Sequence, residues 1–456
     1  MSNSKSIESS YLSLEVEKIS TLLLRFAIPA ITSTVVLSIY NIVDRVFIGH
    51  GVGPMAISGL ALTLPLMSFV TAIGTLVGAG ASARVSIVLG MKDIPWVQKI
   101  LGNSIVMTFA LSAILVSISM IWLDEILVAF GGSEQTIPYA KEYLKVVIPG
   151  SIFSNLTFNF ASIMRAAGHP RNSMFVIVLG AVLNVILDPI LIFWFDFGIA
   201  GAAWATVISM FIGSIFALGH FFNKKRPVHF SRSSLKLEKR IMYNVFSIGL
   251  SPFLVNAVAA CVNIIMNNLL YKHGGDLAIG SFGIINSYLM FMVMLLLGLS
   301  QGMQPIAGYN YGARHYDRVK AVLWLTVRCG IIFCTFFFIC TTFFPRHLVS
   351  AFTSDETLIS MSATGLRTCA ILTPLVAIPI IIGQFFLSIS KALQSIILSL
   401  SRQIIFLIPA VYIGANIWGL NGVWYGFASA DICAITVSLL TYFHVRNKYL
   451  GERTER

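Results

Sequence analysis

Three aspartates, Asp44, Asp188 and Asp431, each stand in a stretch of sequence almost free of other charge. If those stretches cross a bilayer, burying a carboxylate there costs at least about 2.5–3.5 kcal/mol, so each acid is a candidate for function. Asp188 lies in Asn184-Val185-Ile186-Leu187-Asp188-Pro189, where a spacing of four sets Asn184 and Asp188 on one helix face. Pro189 removes a backbone donor and frees the carbonyl one turn earlier as a cation ligand or proton acceptor. Thr206, Tyr40 and Asn41 fall at comparable depth. Two carboxylates with amide and hydroxyl neighbours suit either of two chemistries. Neighbouring carboxylates in a low dielectric resist ionising together, which favours proton exchange, whereas hard oxygen ligands, neutral ones included, favour sodium. Plainer readings exist: Arg45 follows Asp44 and could pair with a carboxylate, Asn184 could be a helix-to-helix donor, and Arg402 could do no more than neutralise Asp431.

The second half has a different chemistry. Its apolar blocks carry Asn256, Asn263, Asn267, Asn286, Gln301, Gln304 and Gln384 with Tyr288, Met290, Met292 and Met294, and acids are nearly absent. Amides, aromatics and methionines together suit flat organic molecules, because methionine adapts its shape and aromatic faces attract cations. Candidate substrate contacts are Tyr40, Asn41, Asn155, Asn159, Asn263 and Gln384.

The elements that must position these groups are membrane spans. Of 456 residues, 57% are hydrophobic and 11% charged, with a mean hydropathy of +0.84, against about 25% charged in a soluble domain. The apolar residues form blocks long enough to cross a bilayer, near 21–48, 56–80, 100–122, 139–163, 172–196, 199–222, 243–271, 277–302, 318–343, 362–388, 395–416 and 419–443. Pro29 and Pro379 are expected kink sites. The net charge of +12 does not imply nucleic acid, because the basic residues sit between the blocks. About 24 of the 31 Lys and Arg residues fall on one side when the N-terminus is placed inside, so both termini are expected in the cytoplasm. Six scattered cysteines show no ligand spacing, and no nucleophile, nucleotide or zinc motif marks an enzyme.

The chain divides into a cytoplasmic segment 1–20, a six-helix lobe 21–222, a basic linker 223–242, a second six-helix lobe 243–443 and a cytoplasmic tail 444–456. The lobes repeat at a shift of 222 residues: Met55-Ala56-Ile57-Ser58-Gly59 aligns with Leu277-Ala278-Ile279-Gly280-Ser281, and Gly90-Met91-Lys92 with Gly312-Ala313-Arg314. Six spans per unit place the halves about a pseudo-two-fold along the membrane normal, with substrate at their interface and alternating access as the mode of transport.

Several stretches carry a resemblance. Ile42-Val43-Asp44-Arg45-Val46-Phe47-Ile48-Gly49, Gly90-Met91-Lys92-Asp93, Arg165-Ala166-Ala167-Gly168-His169-Pro170, Asn184 through Pro189 and Gly201-Ala202-Ala203-Trp204-Ala205-Thr206 resemble the multidrug and toxic compound extrusion (MATE) family. They are most similar to its DinF-like and MepA-type branch, over essentially the whole chain. The resemblance implies an all-α integral membrane protein of about twelve helices in two pseudo-symmetric bundles forming a V. It implies export of small cationic or amphipathic compounds against H+ or Na+, with Asp44, Asn184, Asp188 and Thr206 as the cation site, where Na+ could sit. It further implies no cofactor beyond the coupling ion, contact with membrane lipids, a monomer, and the inner membrane of a prokaryote. The acids that the NorM branch carries in spans 7 and 10 have no counterpart here. A flippase of lipid-linked oligosaccharide would share the topology but should have a more basic cavity. A major facilitator carrier should show a different loop after span 2.

Overall fold

The structure, a computed structural model, describes residues 13–451. Lys5 of the N-terminal segment and Arg453 and Arg456 of the tail lie outside the described residues. Among those described there are helices and no strand. The first bundle comprises α1 (Ile19–Gly51), α2 (Pro54–Gly90), α3 (Ile94–Ile121), the short α4 (Leu123–Ala129), α5 (Ile137–Ala166), α6 (Pro170–Pro189) and α7 (Gly198–Phe222). The second comprises α8 (Lys239–Gly312), α9 (Tyr316–Phe343), the short α10 (Pro345–Ser350), α11 (Glu356–Ala370), α12 (Thr373–Ser388), α13 (Ala392–Leu400) and α14 (Ile408–Leu450). Proline opens α2, α3, α5, α6 and α12, the position where its missing N–H costs no hydrogen bond.

Ten helical stretches are long and apolar enough to span a bilayer, and α11 with α12 forms an eleventh, bent by 56°. One of the ten, Ala392–Leu450, has 59 residues and turns back at Gly419, where φ is 60°. Arg402 and Asp431, 29 residues apart, touch there, whereas a straight helix would hold them roughly 43 Å apart. The stretch is therefore a hairpin, and the described residues make twelve passes.

The bend of the tenth span corrects the expectation at Pro379. It falls at Ile371-Leu372, ahead of the Thr373-Pro374 that opens α12, because Pro374 has no N–H to carry the hydrogen-bond ladder of α11 forward. Pro379 lies inside continuous α12, and Pro29 inside continuous α1.

The duplication is visible in the backbone. Residues with positive φ recur in pairs, at the sequence shift of 222 for Gly53 with Gly275, Lys92 with Arg314 and Gly168 with Ser390, and at 221 for Gly198 with Gly419. Contacts between the bundles obey the same symmetry. A Cβ on Gly90 would lie 2.0 Å from the Tyr309 carbonyl oxygen, and one on Gly312 would lie 1.9 Å from that of Ile87, the reciprocal pair. Gly80 against Val245 and Gly302 against Ala27 are comparably close. Such reciprocity is what a two-fold interface requires.

Three cores result. One is shared by both bundles and holds Leu22, Phe26, Leu76 and Val85 with Leu296, Met303 and Tyr309. The other two are confined to single bundles, around Ile48, Leu60 and Ile148 in the first and Met266, Ile285 and Trp424 in the second. The lobes are thus joined at one end and have separate cores at the other, which gives a V. The first and last described residues lie at the joined end: Leu14 belongs to the shared core, as does Leu450.

Candidate cation site in the first lobe

Asp44 comes from α1, Asn184 and Asp188 from α6, and Thr206 from α7, and the fold brings these four together. Asp188 and Asn184 are fully buried and Asp44 is 8% exposed. The Asn184 amide nitrogen donates to Asp188 Oδ1 at 3.3 Å and to Thr206 Oγ1 at 3.2 Å. The carboxyls of Asp44 and Asp188 lie within hydrogen-bond reach of each other. Three buried oxygens have no donor: Asp44 Oδ1, Asn184 Oδ1 and Asp188 Oδ2. Oxygens of this kind are costly to bury unless something positive meets them.

Local sequence explains the geometry. The four-residue spacing stacks Asn184 over Asp188, and Pro189 ends regular α6. Hydrogen bonding widens to a π-type turn over Ile190–Trp194, with the Phe195 N–H donating to the Ile190 carbonyl. Wide turns of this type are frequent at functional sites.

Tyr40 is half-buried beside both acids. Tyr143 on α5 is 6% exposed, and its hydroxyl is in hydrogen-bond contact with that of Thr206. The sequence reading had no place for Tyr143. Its signal was that a tyrosine on the apolar face of a span needs a partner for its hydroxyl.

The other candidates lie apart from this group. Asn155 and Asn159 are buried inside the first bundle and tie α5 to α3: Asn155 donates to Ser112 Oγ at 3.0 Å, and Asn159 donates to Ser104 and Thr108, each at 3.1 Å. Their amide nitrogens are used in packing, while Asn159 Oδ1 is a further buried oxygen without a donor. Asn41 is exposed and donates to the Leu37 carbonyl at 2.7 Å. Asn263 is exposed on α8, and Gln384 is half-buried on α12. Asp431 has a different environment, since Arg402 Nε donates to its Oδ1 at 2.9 Å and neutralises it. Arg45 is exposed, and no salt bridge joins it to Asp44 among the described residues.

The second lobe has lost the equivalent site. At the repeat shift, Tyr40 and Asp44 correspond to Val262 and Met266, and both are buried in that lobe's own core. At the shift of 221 that relates Gly198 to Gly419, the Thr206 position is taken by Phe427, packed against the same core. No group of three or more His, Cys, Asp or Glu side chains able to hold a metal occurs among the described residues. The first-lobe group, with two acids and neutral oxygens, has the hard donor chemistry that a monovalent cation takes.

Twelve passes in two symmetric lobes joined at one end, with paired buried acids in the first lobe, are the arrangement of a two-lobe membrane transporter. The MatE family profile matches residues 29–190 and again 252–413, once per lobe, and the chain belongs to that family. The Multidrug export protein MepA of Staphylococcus aureus (strain MSSA476) is 29% identical over 424 residues, covering 92% of this chain and 93% of the relative. MepA of Staphylococcus saprophyticus is 27% identical over 437 residues, covering 95% of each. A solved structure described as the outward-facing conformation of a multidrug resistance MATE family transporter of the MOP superfamily superposes with a TM-score of 0.91 at 22% identity, covering 96% of this chain and 98% of that one. A MATE crystal structure in the bent conformation gives 0.91 at 21%, covering 97% and 98%.

Proposed function

We propose that the protein is a secondary active exporter of small organic compounds, cationic or amphipathic, antiported against H+ or Na+ by alternating access. The observation that carries this reading is the Asp44–Asp188 pair with its three donorless oxygens, in the lobe wall beyond the shared core. Two acids in contact, with no salt bridge to either among the described residues, hold a proton or a cation between them. Asn184, Thr206, Tyr40 and Tyr143 complete the oxygen and amide set. Filling the site cancels the negative charge that attracts a cationic substrate, so cation entry and substrate release are linked through one locus. The multidrug names of the MepA relatives support the substrate class.

The excess of Lys and Arg at the joined end supports a cytoplasmic position for that end and for both termini, with the V opening outward. The chain functions as a monomer in the inner membrane of a prokaryote, with lipid around both lobes. Ethidium efflux from whole cells, with the proton and sodium gradients collapsed separately, tests the reading. Loss of efflux with one gradient and not the other is expected and names the coupling ion. Efflux indifferent to both gradients would sink the proposal.

A further inference from the structure

Residues 13–18, just ahead of α1, lie across the seam where the two lobes meet. Residues 13–16 form a helical turn, and Leu14 is fully buried in the shared core. Side chains of the second lobe hold the backbone of this segment. Asn310 Nδ2 and Arg318 Nη2 donate to the Leu14 carbonyl at 3.1 Å each, and Arg318 Nη2 donates to the Glu17 carbonyl at 2.6 Å. The Glu15 carboxylate accepts from Tyr309 Oη at 3.2 Å and lies 4.0 Å from His315 Nε2, both in the second lobe. The same carboxylate is 3.6 Å from Lys92 Nζ, on the loop between α2 and α3 of the first lobe. Glu17 pairs with Arg25 of α1 at 3.4 Å. One short segment thus grips both lobes at the end where they are joined.

We propose that residues 13–18 are a latch for the closed end, and that the lobes part there only when the segment leaves its bed. The chain connectivity makes this unavoidable. The segment runs directly into α1 through Lys18, whose backbone is extended at φ −59° and ψ 134°. If it travels with the first lobe, the bonds from Asn310, Tyr309 and Arg318 break and Leu14 is drawn out of the core. If it stays with the second lobe by hinging at Lys18, the Lys92 and Arg25 pairs break. Either way the state joined at this end is favoured by contacts that the opposite state loses, which is the condition for biasing a two-state equilibrium. The idea serves the alternating reading above, but its test uses neither substrate nor gradient, so its failure and a failure of export are separate results.

Amide hydrogen exchange on the full-length protein in nanodiscs is the experiment, comparing wild type with Glu15→Gln and Arg318→Gln. Peptides covering 84–93 and 303–313 report the seam, and 140–148 reports the separate core of the first lobe. Seam exchange on the order of fivefold faster in both variants is expected, with 140–148 unchanged. Unchanged seam exchange in either folded variant would overturn the latch. An equal rise in 140–148 would overturn it too, by showing a general loss of stability.

Discussion

Asp188 and Asp431 are both aspartates buried in spans, and their neighbours give them opposite surroundings. Asp431 has the Arg402 guanidinium against it, and Asp188 has an amide, a hydroxyl network and another acid. Removing Arg402 alone strands a buried carboxylate. Arg402→Met is therefore expected to destabilise the protein by about 3 kcal/mol, and the double replacement with Asp431→Leu to restore most of that. Thermal melting in detergent decides this, and equal melting of the single and double variants would refute the structural role. Tyr143→Phe removes one hydroxyl from the site and leaves the ring. Worth about 1 kcal/mol, that hydrogen bond should slow gradient-driven efflux several-fold while expression and melting stay at wild-type level. Wild-type efflux by Tyr143→Phe would exclude the hydroxyl from the network.

Elements were legible where hydrophobicity alone sets them. The twelve passes follow from block length, and the two lobes from a repeat register that reappears as paired left-handed residues such as Lys92 with Arg314. Asn184 and Asp188 were legible because a helix converts spacing into a shared face. The bend at Pro374 was less so, since several prolines compete and packing selects which one breaks the helix. Asn155 and Asn159 show a similar limit: an amide inside a span satisfies a neighbouring helix as readily as it faces a ligand, and only the partner distinguishes the two. Tyr143 needed the fold, because its partner Thr206 lies two spans away in sequence. The glycine seam belongs to this scale as well. In Gly312→Ala the new Cβ would lie 1.9 Å from the Ile87 carbonyl, a backbone atom that cannot swing aside. Spin labels on the loops at 92 and 314, in a cysteine-free background, are expected to move apart in Gly312→Ala. An unchanged distance distribution would show that the seam tolerates a side chain.

At the scale of the whole molecule, symmetry and asymmetry have separate uses. The pseudo-two-fold supplies reciprocal glycine contacts at the joined end, an interface able to part and re-form as a unit. The asymmetry supplies the chemistry, because the second lobe fills the equivalent of the cation site with Val262, Met266 and Phe427. In the proposed mechanism, a cation held in the first lobe biases the position of both lobes through that single site. The most direct test reconstitutes wild type, Asp44→Asn and Asp188→Asn in liposomes under an imposed proton or sodium gradient and measures ethidium transport. Both variants are expected to lose gradient-driven transport by at least about tenfold while still folding, since each replaces a charge with an amide at the coupling locus. Transport by either variant at the wild-type rate would contradict the assignment of that locus.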